Sequence, residues 1–152
     1  MIFEEYGKQL FELISDHTQL GIAVIGVDGR FLYYNRALEE MEGLETGEML
    51  GKHVLDVFPS SDPQTSTILQ CIETGKPIYD DLQTYINFKG RKVTSIVTNI
   101  PIIIKGEIKG VLEIIYNANR IKQIYESTSS LFEDEEDAGK SRAKHLKNSY
   151  YV

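Results

Sequence analysis

The chain has 152 residues, 41% of them hydrophobic and 26% charged, about the size of one domain able to bury a core of its own. A formal net charge of −7 opposes attraction to nucleic-acid backbones, and the single cysteine, Cys71, excludes an intramolecular disulfide or a thiolate metal cluster within one chain. No run reaches the roughly 18 to 20 apolar residues of a membrane span, and the acidic, polar opening MIFEEYGKQL is unlike a signal peptide, so a cytoplasmic protein is expected.

In chain order, Phe3, Tyr6, Leu10, Leu13 and Ile14 recur at helical spacing among charged residues and predict an amphipathic helix ending near His17. Gly21 to Val27 and Phe31 to Asn35 are short β-rich runs around Asp28-Gly29, which predicts a hairpin. Asn35 is placed to cap a helix starting at Arg36, with Leu38 and Met41 on one face. The stretch from Gly43 to Phe58 offers only short helical turns punctuated by glycines. Asp62-Pro63 reads as a start signal and Gly75 with Pro77 as a stop, which predicts a helix from about 63 to 74. Three strands follow, Ile78 to Phe88, Lys92 to Ile104 and Glu107 to Tyr116, joined by tight turns at Lys89-Gly90 and Lys105-Gly106. The fold class is therefore α+β, a five-stranded antiparallel sheet with short helices on one face. From Ala118, the spacing of Ile121, Ile124, Tyr125, Thr128, Leu131 and Phe132 resembles the seam of a short coiled coil suited to pairing with a second copy. The blocks EDEED at 133 to 137 and KSRAKHLK at 140 to 147 read as solvated linker.

The segments LGIAVIGVDGRFLYYNRALEEMEG, GKHVLDVFP, ETGKPI, QTYINFKGRKVTSIVTNIPI and GEIKGVLEII together resemble a PAS domain over about residues 15 to 120. They are similar to the N-terminal sensory domains of sigma-54-dependent transcriptional activators, among them the arginine-utilisation regulators. The resemblance implies a sensor for a small polar metabolite, a basic amino acid in that subgroup, coupled to an AAA+ ATPase and a DNA-binding helix-turn-helix elsewhere in a longer protein. This chain contains no GxxxxGKS/T loop, and its ending NSYYV is similar to the run-up to such an ATPase domain. The expected division is a helix over 1–17, a PAS sensor over 18–117, a signalling helix over 118–132 and a charged linker over 133–152, with homodimerisation through the flanking helices.

PAS folds hold their ligand between sheet and helices, so polar residues on otherwise apolar strands are the candidate contacts. Strand alternation puts Val93, Ser95, Val97 and Asn99 on one face, with Asn99 and Ser95 or Thr98 able to hydrogen-bond a polar ligand or simply each other and water. Gln83, Tyr85 and Asn87 share a face of the preceding strand, either in the pocket or exposed. Glu113 interrupts the run Val111–Ile115 and would suit a ligand ammonium or guanidinium, or else an outward dimer face. Tyr33, Tyr34 and Phe58 are aromatic walls or ordinary core, and Asn35 is a cap that could also sit at a pocket mouth. His17, His53 and His145 are scattered without ligand-spaced partners, so no metal is expected. No cysteine stands where flavin photosensors carry theirs, and residues 62 to 75 contain no histidine for haem, so no cofactor is expected. No nucleophile–base set appears in a recognisable motif and no carboxylate pair stands in an apolar setting that would separate its pKa values, so the chain reads as non-catalytic. Two other readings stay open: a ligand-free PAS dimerisation or interaction module, and the sensor domain of a histidine kinase.

Overall fold

The computed structural model describes residues 2–58 and 63–133, in two compact units that meet after Ala118. The order is α1 (Ile2–His17), β1 (Gly21–Gly26), β2 (Phe31–Tyr34), α2 (Arg36–Glu42), α3 (Val54–Val57), α4 (Thr67–Thr74), β3 (Ile78–Ile86), β4 (Lys92–Ile104), β5 (Glu107–Asn117) and α5 (Ala118–Glu133). The strands form one antiparallel sheet in the order β2-β1-β5-β4-β3, so the α+β expectation holds. The hairpin β1–β2 adds through β1 to the β5 end of the β3-β4-β5 meander, which places β5 at the centre of the sheet.

Local chemistry sets these elements. The β4–β5 turn uses Lys105 and Gly106 at φ 51° and 78°, the paired positive angles of a tight hairpin. At the sheet's centre, Gly110 faces Gly26 across the β1–β5 ladder, and a Cβ on Gly110 would lie 2.3 Å from the Ile25 carbonyl oxygen. The close approach of these two strands therefore depends on a missing side chain. One expected boundary moves: residues 63–65 form a turn and α4 starts at Thr67, because Ser66 caps it by accepting a hydrogen bond from the Leu69 amide. Asp62 itself lies outside the described residues.

The core lies between the inner face of the sheet and helices α2 to α4. Ala23, Ile25, Val93, Val97 and Ile115 from the strands meet Leu38, Met41, Met49, Val54, Val57 and Ile68. Cys71 is fully buried on α4. Helix α1 docks differently from its expected stripe. Phe11 packs on Tyr33 with ring centroids 5.1 Å apart and Ser15 is fully buried, while Phe3, Leu13 and Ile14 stay 72%, 57% and 64% exposed. The polar anchor outweighs the stripe here: Ser15 shares a hydrogen bond with the Tyr33 hydroxyl, and its carbonyl accepts another from Asn35. In the second unit, α5 presents Ile121, Ile124, Tyr125 and Leu131 as exposed residues; the side chain of Phe132 and the charged blocks beyond lie outside the described residues. No described helix is long and apolar enough to cross a membrane.

Candidate functional site

A cavity of about 440 Å³ opens between the inner sheet face and the helices. Its lining comes from α2 (Glu42), α3 and its end (Val54, Phe58), the start of α4 (Ser66, Thr67, Ile68), β3 (Asp81, Gln83, Tyr85), β4 (Ser95, Val97) and β5 (Glu113, Ile115). The period of two along each strand aims these residues the same way: Asp81, Gln83 and Tyr85 on β3, Ser95 and Val97 on β4, Glu113 and Ile115 on β5.

Two carboxylates are buried here. Glu113 stands opposite Asn99 in the β4–β5 register and accepts a hydrogen bond of 3.0 Å from Asn99 Nδ2. Glu42, the last residue of α2, is 1% exposed and accepts a hydrogen bond from the Tyr85 hydroxyl. Burial pushes both carboxyls up to about 7. For Glu42 the Tyr85 bond opposes that rise and the charge of Glu113 adds to it; for Glu113 the Asn99 bond opposes it. The Tyr85 phenol is also pushed up, by burial first and then by the negative charge and hydrogen bond of Glu42. Three buried polar atoms in and beside the cavity have no hydrogen-bond partner among the described residues: Glu42 Oε2, Ser95 Oγ and Asn99 Oδ1. Each such atom costs about 1 to 3 kcal/mol while it stays unpaired. Two of the three, Glu42 Oε2 and Asn99 Oδ1, are carboxyl and amide oxygens, which accept.

The structure brings four of the expected residues onto this cavity: Phe58, Tyr85, Ser95 and Glu113. Asn99 lies immediately behind, holding Glu113. Tyr33 and Asn35 are elsewhere, which corrects their expected place. Tyr33 is the docking site for α1, and Asn35 is spent on structure: its Oδ1 accepts from the Ile22 and Leu38 amides, and its Nδ2 donates to the Ser15 and Leu20 carbonyls. No bonding capacity remains on Asn35 for a ligand. Tyr34 likewise stands apart, accepting from the Met49 amide. Asn87 lines a separate groove beside the cavity and organises the β3–β4 turn, accepting from the Lys89 and Arg91 amides and donating to the Met41 carbonyl.

Glu42, Asp81 and Gln83 complete the lining; Glu42 and Asp81 escaped the sequence reading. Glu42 had a readable signal, since it lies four residues after Leu38 and so shares its buried face. Its neighbours Glu39 and Glu40 disguise it as part of a solvated acidic face. Among the described residues, no three potential metal-ligating side chains converge.

A sheet of this order, with its helices over one face and a polar cavity beneath them, defines a sensory-type α+β domain, and sequence comparison places it. Residues 15–119 match the PAS fold family, and the chain belongs to that family. It is 32% identical over 120 residues to the transcriptional activator RocR of Bacillus subtilis (strain 168), a match that takes in 79% of this chain and 26% of RocR. The chain thus spans about a quarter of that relative's length. Among solved structures, it is similar to a PAS domain from Colwellia psychrerythraea at a TM-score of 0.61 and 17% identity, over 72% of this chain and 95% of that one. It also resembles the PAS domain of nitrogen regulation protein NR(II) from Vibrio parahaemolyticus at a TM-score of 0.57 and 19% identity, over 71% and 97% of the two chains.

Proposed function

We propose that this PAS domain is the ligand-sensing module of a cytoplasmic transcriptional regulator, receiving a small polar metabolite with a cationic group in the cavity between sheet and helices. The observation that carries this reading is the pair of buried carboxylates, Glu42 and Glu113, in one cavity with the unpartnered acceptor Glu42 Oε2. Buried charge is costly unless paired, and a ligand ammonium or guanidinium supplies both the counter-charge and the missing donor. Similarity to RocR supports the regulatory setting, and the resemblance to arginine-utilisation regulators supports a basic amino acid as the metabolite class. Tyr85, Ser95 and Glu113 act as direct contacts, Asn99 positions Glu113, and Phe58 walls the site. The domain performs no chemistry of its own and works through covalently linked AAA+ and helix-turn-helix domains of a longer protein.

Output requires that the ligand favour one arrangement of the flanking helices, since equal affinity for both shifts nothing. Helix α2 offers the connection to the N-terminal side: Glu42 at its end enters the cavity, and Asn35 at its cap holds the carbonyl of Ser15 on α1. The exposed apolar residues of α1 and of α5 are the surfaces through which two copies pair. Those same residues also favour a second reading, an interaction module that works without a ligand.

Thermal unfolding against a panel of amino acids and small carboxylates separates the two. A specific ligand at 100 times its dissociation constant adds about 2.7 kcal/mol of stability, a shift of several degrees in a domain of this size. Stabilisation by arginine, ornithine or lysine that disappears in Glu113→Gln supports the sensor. No stabilisation by any compound, together with a stable dimer, supports the interaction module.

A further inference from the structure

The cavity receives acid from three elements and base from none. Glu113 comes from the centre of the sheet on β5, Glu42 from the helical layer on α2, and Asp81 from the edge strand β3. Among the described residues no lysine, arginine or histidine lines it. The amide and phenol donors around it are already committed, and mostly to these acids: Tyr85 donates to Glu42, Asn99 to Glu113, and Gln83 both to Asp81 at 2.9 Å and to Thr67 at 3.3 Å. The hydroxyls of Ser66 and Ser95 remain as neutral donors on the lining, and neither carries a counter-charge. A carboxylate entering this cavity meets acids on three elements and no cation. A second ammonium or guanidinium meets a waiting acid.

We infer that the site selects its ligand by net positive charge, taking small diamines or guanidino-amines that carry a cation at both ends and no free carboxylate in preference to the corresponding amino acids. The inference rests on the cation-receptor reading above and departs from its metabolite class, putting the decarboxylated amine in place of the basic amino acid. Glu42 and Glu113 receive one cationic group, with Ser95 Oγ beside them, and Asp81 receives the other. The α-carboxylate of an amino acid has no counter-charge on the lining, so each parent amino acid loses affinity relative to its decarboxylated partner.

Titration calorimetry of the chain with matched pairs tests this: agmatine against arginine, putrescine against ornithine, and cadaverine against lysine. Each amine is expected to bind at least about tenfold more tightly than its parent amino acid, the step that a single uncompensated charge contact makes. Asp81→Asn, which leaves the Glu42–Tyr85 and Asn99–Glu113 bonds in place, is expected to narrow that ratio, with circular dichroism confirming the fold. Amino acids binding as tightly as their amines, or more tightly, would overturn the inference while leaving the cation receptor standing. Binding of neither class would overturn the receptor reading itself.

Discussion

Replacing Glu113 by Gln is expected to stabilise the ligand-free domain, and to do so only above the pH at which a free glutamate ionises. The Glu113 carboxyl is raised from 4.5 to about 7 because it is buried, with the neutral amide of Asn99 as its hydrogen-bond partner. A carboxyl whose folded value lies above its unfolded value favours the protonated fold, so it costs nothing below about pH 4.5. Its cost grows as pH rises from about 4.5 to 7 and is constant above that. At about 1.4 kcal/mol per pH unit, the full cost is on the order of 3 kcal/mol. Gln has the same shape, still accepts the Asn99 bond and carries no charge to desolvate. Urea unfolding of both proteins at pH 4.5, 6 and 8 should therefore give equal stability at the lowest pH and a Gln variant more stable by about 3 kcal/mol at the highest, or roughly 10 °C in melting temperature. A Gln variant that is less stable at pH 8, or a difference that does not change with pH, would refute the account of Glu113 as a buried, uncompensated acid.

Other expectations follow from the same geometry. Asn35→Ala removes four hydrogen bonds that join α1, β1 and α2, and should cost about 3 kcal/mol in urea unfolding, more than the 1 kcal/mol typical of a lost cap. Gly110→Ala forces a Cβ against the Ile25 carbonyl at the centre of the sheet and should destabilise by about 3 kcal/mol or prevent folding, read by circular dichroism and melting. Affinity for a cationic ligand should rise with pH up to about 7 and then level off, because a cation binds the ionised carboxylates and displaces their protons; below pH 7 the fall is about tenfold per pH unit for each proton displaced.

What the sequence made legible follows from which interactions are periodic. Strand alternation is exact, so placing Ser95, Val97 and Asn99 on one face of β4 needed no tertiary information, whereas which face turns inward did. Glu113 stood out because a charge inside Val111–Ile115 breaks that pattern. Helical faces are less decisive. The stripe through Phe3, Leu13 and Ile14 marks the apolar side of α1, but the anchoring of Ser15 between Tyr33 and Asn35 decides which side docks, and that bond pattern spans 18 and 20 residues of sequence. Glu42 was hidden by the acidic residues around it, although its spacing from Leu38 pointed inward. Asp81 was hidden by a local irregularity: Asp80 at φ 52° breaks the β3–β4 register between Ile78 and Asp81, so simple alternation from the strand's start cannot assign its face. The cap role of Asn35 was readable from its position, whereas its three further bonds depend on the turn of α1 back onto β1.

Whether the Glu42–Glu113 cavity receives a small cation can be read from calorimetric titration in two buffers of different ionisation enthalpy. Near pH 7, agmatine or arginine should bind with release of protons, and Glu42→Gln and Glu113→Gln should each weaken binding and reduce the number of protons released. Binding that neither substitution alters, or the absence of binding by any organic cation, would contradict the account.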